Sequence, residues 1–221
     1  MIHVNALEFY YHKGGFCLNV AELIVEKREK VAVIGSSGSG KTTLLNLIAG
    51  IFTPNAGKIR VGDVSINDLN DARRRDFRIT HMGFVFQDFE LLDYLNVLDN
   101  ILHPYRITGS LKLDKSVKKR AALLAEEMGI GDKLKRKAND LSHGEKQRAA
   151  ICRALLPQPE LVLADEATGN LDPDNKNRIM DLLFRSVEDH GATLLAVTHD
   201  HELLKRFDRI INFKDFQRKT N

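Results

Sequence analysis

Tryptophan is missing from the 221 residues, and aromatics amount to only 7%. That argues against a surface built for stacking bases or sugar rings. Cysteine is scarce. Cys17 and Cys152 lie in apolar stretches without metal-site spacing and read as buried thiols of a reducing compartment. No apolar run approaches the ~20 residues that cross a bilayer. The start, Met1-Ile2-His3-Val4-Asn5, lacks the charged and apolar regions of a signal peptide. The expectation is a cytosolic chain that serves a membrane only through another protein. Neither sign of charge dominates: 33 Lys and Arg against 30 Asp and Glu leave a net +3, so no nucleic-acid partner is expected. The basic clusters Arg73-Arg74-Arg75, Lys118-Lys119-Arg120 and Lys133 to Lys137 read as solvated faces, with contact to a partner protein or anionic lipid headgroups as the alternative. Internal repeats, low-complexity tracts and long linkers are absent. The length suits one large α/β domain or a core with a small inserted subdomain, and hydrophobic residues at 43% with charged residues at 29% are ordinary for a well-packed chain.

The chain opens with alternating apolar and polar residues from Val4 to Val25 around Gly14-Gly15, predicting two antiparallel strands. Val31-Ala32-Val33-Ile34 is a wholly apolar run, the mark of a strand buried on both faces. A helix from Thr42 to Ala49 follows, ended by Gly50. Lys58 to Val61 and Gly83 to Phe86 read as strands. Residues 88 to 140 turn mostly helical, with Val117, Ala121, Leu124, Ala125 and Met128 on one face. Leu161 to Ala164 and Thr193 to Val197 are further buried strands, separated by a helix from about Asp174 to Glu188. This alternation predicts a mainly parallel sheet covered by helices.

Between the Val31 to Ile34 strand and its helix lies Gly35-Ser36-Ser37-Gly38-Ser39-Gly40-Lys41-Thr42, a P-loop in the strand–loop–helix setting that motif requires. Glycines let the backbone wrap an anion with its N–H groups inward. The helix that begins here, carrying Thr42 and Thr43, presents its positive end to the same phosphates. Lys41 reaches the β- and γ-phosphates, and the Thr42 hydroxyl suits Mg²⁺. ATP with Mg²⁺ is the expected ligand. No Asn-Lys-x-Asp guanine motif occurs, since Asn175-Lys176-Asn177-Arg178 lacks the acid.

Leu161-Val162-Leu163-Ala164-Asp165-Glu166 ends an apolar strand in two acids, which is costly without a cation. Asp165 is the candidate metal residue and Glu166 the candidate general base for an attacking water.

Leu141-Ser142-His143-Gly144-Glu145-Lys146-Gln147-Arg148 resembles the LSGGQ-type signature of the ABC ATPases, and it precedes the acid strand in that family's order. The resemblance covers essentially the whole chain. It implies a P-loop core with an N-terminal antiparallel β subdomain and an inserted helical signature subdomain. Residues 1–87 and 157–221 would form the core of a single 1–221 domain, and 88–156 the insert. Gln87, after Phe84-Val85-Phe86, resembles the Q-loop glutamine, a catalytic and Mg²⁺-proximal residue. Gly169-Asn170-Leu171-Asp172 resembles the D-loop, although Asp172 also suits a helix N-cap. His199 resembles the switch histidine. Tyr11 resembles the aromatic that stacks on adenine; Tyr10 is the alternative, and alternation along the strand puts Tyr11 on the face of Phe9. The resemblance further implies that Ser142 and Gly144 open a helix closing over ATP held by a second copy. It also implies that this head-to-tail dimer drives a separate permease, peripheral on the inner face of the cell membrane.

His143 and Glu145 depart from the usual Gly and Gln of the signature, adding bulk and a titratable ring in one case and a charge in the other. The stretch after Gln87, Asp88 to Ile101, resembles the lipoprotein-release, macrolide-export and cell-division group, with Phe89, Leu91, Leu92, Tyr94 and Leu95 as apolar anchors for a permease helix. Two other classes stand beside this reading: a non-transport ABC ATPase acting in cell division or on DNA or ribosomes, and a P-loop small-molecule kinase. A kinase has no need of the Leu141 to Arg148 signature.

Overall fold

The computed structural model describes residues 1–12, 15–167, 173–200 and 202–216, with the backbone alone for 173–175. The chain divides into two compact units, residues 1–78 with 193–221 and residues 79–192.

The first unit opens with β1 (Ile2–Tyr10) and β2 (Cys17–Val25), antiparallel, with Ile2 opposite Val25 and Phe9 opposite Leu18. The inward residues of β1 change phase at Ala6, whose φ of 45° marks a bulge against β4 (Ala56–Val61). Ile2 and Val4 before the bulge, and Leu7 and Phe9 after it, therefore all face the core. The two-residue β5 (Val64–Ser65) completes a sheet of order β2-β1-β4-β5. Three parallel strands form the other layer: β3 (Lys30–Ile34) lies between β8 (Thr193–Val197) and β9 (Arg209–Asn212). Their middles are fully buried on β3 and β8, as the unbroken apolar runs require. Helix α1 (Lys41–Ile48) leaves the end of β3 through the glycine loop and stops at Gly50, whose φ is 65°.

Cys17 is exposed, contrary to the expectation from its apolar neighbours. Strand alternation puts it on the opposite face from Leu18, so chain neighbours misstate its surroundings. Cys152 is buried as expected, and burial pushes its thiol well above the usual range.

In the second unit β6 (Met82–Val85) and β7 (Leu161–Asp165) pair in parallel and are buried throughout. Helix α5 (His143–Leu155) packs against β6 so closely that a Cβ on Gly83 would lie 2.5 Å from the Ala154 carbonyl oxygen. The small residues Ala149, Ala150, Cys152 and Ala154 make that approach possible. Helix α4 (Lys115–Glu127) buries Val117, Ala121, Leu124 and Ala125, the face that its periodicity predicts. Helix α6 (Pro173–Asp189) buries Ile179, Met180, Leu183, Phe184 and Val187.

Residues 88–140 are less helical than the sequence suggests. Besides α4 they hold only the short α3 (Val97–Ile101) and three 3₁₀ turns among the described residues. The backbone bonds elsewhere instead: Val97 N–H donates to Arg136, Leu98 to Leu134 and Ala138 to Leu95. Helix α2 (Asp71–His81) has no sequence signal, because none of its residues is buried and no apolar stripe exists to find. Its Arg74 bonds to Asp71 and Thr53, and Arg78 donates to the Ala49 carbonyl oxygen (3.1 Å) at the C-terminal end of α1.

Candidate active site

In the first unit the glycine loop is shaped by what lies beneath it. A Cβ on Gly35 would meet the Cβ of the fully buried Phe213 at 2.9 Å. Gly40, the N-cap of α1, has φ 108°, and a Cβ there would lie 2.4 Å from Phe16 Cζ. Only glycine satisfies both demands. Gly40 brings no capping side chain, so the first-turn N–H groups of α1 are left for another acceptor. The Ser39 hydroxyl oxygen is buried and makes no hydrogen bond among the described residues. The Lys41 ammonium folds into the loop, donating to the carbonyl oxygens of Gly35 (3.0 Å) and Ser36 (2.9 Å). An uncapped helix end, an orphaned hydroxyl and a buried ammonium together form an anion cradle. Thr42 is exposed beside it.

Tyr11 stands next to this cradle. Its hydroxyl is 2.9 Å from Thr43 Oγ1, and its ring meets Phe9 edge-on (centroids 4.9 Å) and Phe16 at a tilt (6.0 Å). Tyr10 closes β1, and its N–H donates to Asn55 Oδ1 (2.9 Å). His199 follows β8 in the same unit and is exposed.

The second unit carries the acids. Asp165 ends β7 and is 5% exposed; Glu166 follows with φ 43°, a left-handed conformation that turns it away from the strand. Gln87 is exposed, two residues beyond β6. Next come two side-chain-bearing residues with positive φ, Phe89 (63°) and Glu90 (49°). Each costs about 1–2 kcal/mol of backbone energy. Arg153 of α5 offsets this: its guanidinium donates to the Phe89 carbonyl oxygen (2.6 Å) and to that of Glu90. Each such charged hydrogen bond contributes about 1.5–3 kcal/mol. Burial depresses the Arg153 pKa to about 10 against the opposing pull of the Glu90 carboxylate, so it stays charged at neutral pH.

Ser142 is exposed and caps α5 in a reciprocal arrangement. Its hydroxyl accepts from Glu145 N–H (3.3 Å), and its own N–H donates to the Glu145 carboxylate (2.8 Å). The acid that stands where Gln is usual thus completes a capping box. Burial raises the Glu145 pKa, but the hydrogen bonds from Ser142 and the charges of Lys133 and Arg148 outweigh it and hold the carboxylate below its usual range. The His143 ring is tilted over Phe89, with centroids 5.9 Å apart.

The sequence profile of the ABC transporter family matches residues 18–169. The chain belongs to the ABC transporter family. It is 42% identical to the lipoprotein-releasing system ATP-binding protein LolD of Hydrogenovibrio crunogenus, over 82% of this chain and 78% of that one. It is 40% identical to LolD 1 of Rhodospirillum rubrum, over 93% and 91%. The macrolide export ATP-binding/permease protein MacB of Rhodopirellula baltica is 39% identical over 97% of this chain, which spans about a third (32%) of its length. Among solved structures, the dimeric post-hydrolysis state of the ATP-binding cassette MJ0796 bound to ADP and Pi superposes with a TM-score of 0.87 and 33% identity, covering 96% of this chain and 94% of that one. The protein is therefore an ABC ATPase nucleotide-binding domain with the α/β fold of that family.

Within this ABC ATPase domain the first unit brings Tyr11, the glycine loop and Thr43 together, and the second joins the Gln87 segment to the signature helix. The D-loop candidate, Asp172, lies outside the described residues. Phe89 is 8% exposed and faces His143, so it is not an outward anchor, whereas Tyr94 is 74% exposed and Leu91, Leu92 and Leu95 are half-buried. Sequence reasoning missed Phe16, Phe213, Arg153 and Asn100. The fully buried Asn100 accepts from Leu92 N–H (2.7 Å) and donates to Leu92 O (3.0 Å) and Asn96 O (3.1 Å), pinning the chain after Gln87. An amide within Val97 to Leu102, otherwise largely apolar, was its only signal.

Proposed function

We propose that two copies of this chain close head to tail around two ATP molecules, and that the cycle of closure and hydrolysis drives a separate membrane permease in export or mechanotransmission. The observation that carries this reading is the exposed, serine-capped end of α5 in a chain whose glycine loop forms a complete anion cradle of its own. A helix N-terminus favours phosphate, and the glycine loop already supplies one for the chain's own nucleotide. The dimeric MJ0796 cassettes, and the names of the LolD and MacB relatives, support the same reading.

In this scheme the loop 35–43 holds the triphosphate, with Lys41 on the β- and γ-phosphates and Tyr11 against the adenine. The donors assigned to Mg²⁺ are oxygen groups of the kind it takes: the Thr42 hydroxyl at the uncapped helix end of the first unit and, in the second, Gln87 and the Asp165 carboxylate, buried at the tip of an apolar strand. Bound there, the ion would neutralise phosphate charge. Glu166 takes the proton of the water that attacks the γ-phosphorus, the bond to the β-phosphate oxygen breaks, and ADP and phosphate form. His199 serves as the switch histidine, Asp172 as the D-loop acid, and Ser142 and Gly144 reach the partner's γ-phosphate. Residues 88–156 act as the helical insert of a single domain, with Leu91, Leu92, Tyr94 and Leu95 towards the permease. No helix among the described residues is long and apolar enough to cross a membrane. In this scheme membrane contact runs through the permease, at the inner face.

A crosslink between Cys placed at Ser39 and at Ser142 tests the arrangement, with Cys17→Ser removing the exposed native thiol. Mixing the two single-site proteins should give an intermolecular product only with ATP. Its failure to form in ATP would overturn the shared site.

A further inference from the structure

We infer that Arg153 is a positioning residue for Gln87, locking the segment that leaves β6 to the signature helix so that the two move as one piece. This rests on the assignment of Gln87 to the nucleotide site made above. Residues 86–95 belong to no helix or strand, and the turn at Phe89 and Glu90 adopts a backbone conformation that side-chain-bearing residues disfavour. Such a turn persists only where its surroundings over-determine it. Here α5 does so from two points. Arg153 holds the carbonyl oxygens of both residues, and His143, ten residues earlier in the first turn of the helix, lies against the Phe89 ring. Phe89 is therefore fixed at its backbone and at its ring by one rigid element, about 15 Å long between the two contact residues.

The guanidinium suits this task because its fork of donors reaches two carbonyl oxygens at once, which a lysine ammonium cannot do with the same rigidity. Glu90 N–H also donates to Asp88 O (2.7 Å), so the constraint runs back to the residue beside Gln87. Ser142 caps the N-terminal end of the same helix. A displacement of Gln87 in one copy thus carries Ser142 with it, and in a shared-site dimer Ser142 faces the nucleotide of the other copy. Arg153 links the two ATP sites mechanically.

The test is a double-mutant cycle with Gln87→Ala and Arg153→Lys, a change that keeps the cation and is the variant most apt to fold. Arg153→Met is compared only if its circular dichroism matches wild type. Arg153→Lys should lower kcat about 10-fold or more, since small misplacements of catalytic groups carry penalties of that order. It should leave ATP affinity within about 2-fold and speed amide exchange at residues 88–91. In the Gln87→Ala background the same substitution should have little further effect, because both act through one group. A normal kcat for Arg153→Lys, or effects that multiply, overturns the positioning role while leaving the nucleotide site intact. An unchanged kcat for Gln87→Ala alone removes the assignment of Gln87, and the inference with it.

Discussion

The Tyr11 hydroxyl and Thr43 Oγ1 lie 2.9 Å apart, joining the end of the first strand to the first turn of the phosphate-loop helix. The ring is 55% exposed, with its edge on Phe9 and a tilted contact to Phe16. An aromatic face is thereby held beside the cradle, where we propose that the adenine lies. Tyr11→Ala should weaken binding of a fluorescent ATP analogue by about 5- to 100-fold, the range of one base–aromatic stack. Tyr11→Phe keeps the ring and should lose far less. Equal losses in the two variants would assign the effect to the hydroxyl.

Gly40 is confined by φ 108° and by the Phe16 ring. Gly40→Ala should destabilise the fold by about 1–3 kcal/mol in chemical denaturation and weaken ATP binding. Adding Phe16→Ala removes the steric part but not the backbone part, so rescue should be incomplete. Full recovery in the double variant would show that the contact alone is at fault.

Glu166 follows a buried carboxylate in a left-handed conformation that no strand continuation explains. Glu166→Gln should cut ATP turnover about 10²–10⁴-fold with ATP binding retained, as measured by phosphate release and equilibrium binding. Near-normal turnover would remove it as the base.

Glu145 closes the capping box with Ser142, and its carboxyl is held below its ordinary value of 4.5. A lowered folded-state pKa means that the stabilisation is complete above the unfolded value and disappears as pH falls through the folded one. Glu145→Gln keeps the cap geometry but not the charge, so the wild type should have the higher thermal midpoint near pH 7. Below pH 4.5 the wild type should lose its charged cap, worth about 1 kcal/mol, and the two midpoints should converge. Parallel midpoint curves down to pH 3 would place Glu145 outside the cap.

Asn100 satisfies the backbone of Leu92 on both its N–H and carbonyl groups from a fully buried position. Asn100→Leu keeps the volume and strands those groups, so it should cost about 2–4 kcal/mol in urea unfolding. A neutral effect would mean that solvent reaches the turn.

Most of the strands and the phosphate loop were legible because each is written in consecutive residues. Val31 to Ile34 and Thr193 to Val197 are apolar without break, and Gly35 to Thr42 carries its own spacing. Helix α2 was not legible, because it buries nothing and so leaves no periodic trace. The stretch from Asp88 to Asp140 was overread as helix, because its polar and apolar residues are spent on turns and on pairing between residues 95–98 and 134–138. Cys17 sits among apolar chain neighbours yet is exposed, because neighbours along a strand point to opposite faces.

The sequence by itself determined the kind of chemistry, since a phosphate loop, a paired acid and a signature are local strings whose donors and acceptors follow from residue type. Only the tertiary structure decided what holds those strings in place: Phe16 and Phe213 against the glycines, Arg153 across 63 residues to Glu90, and Asn100 under the loop beyond Gln87. Contacts between residues distant in the chain depend on how the elements pack, and packing leaves no pattern in any single stretch of sequence.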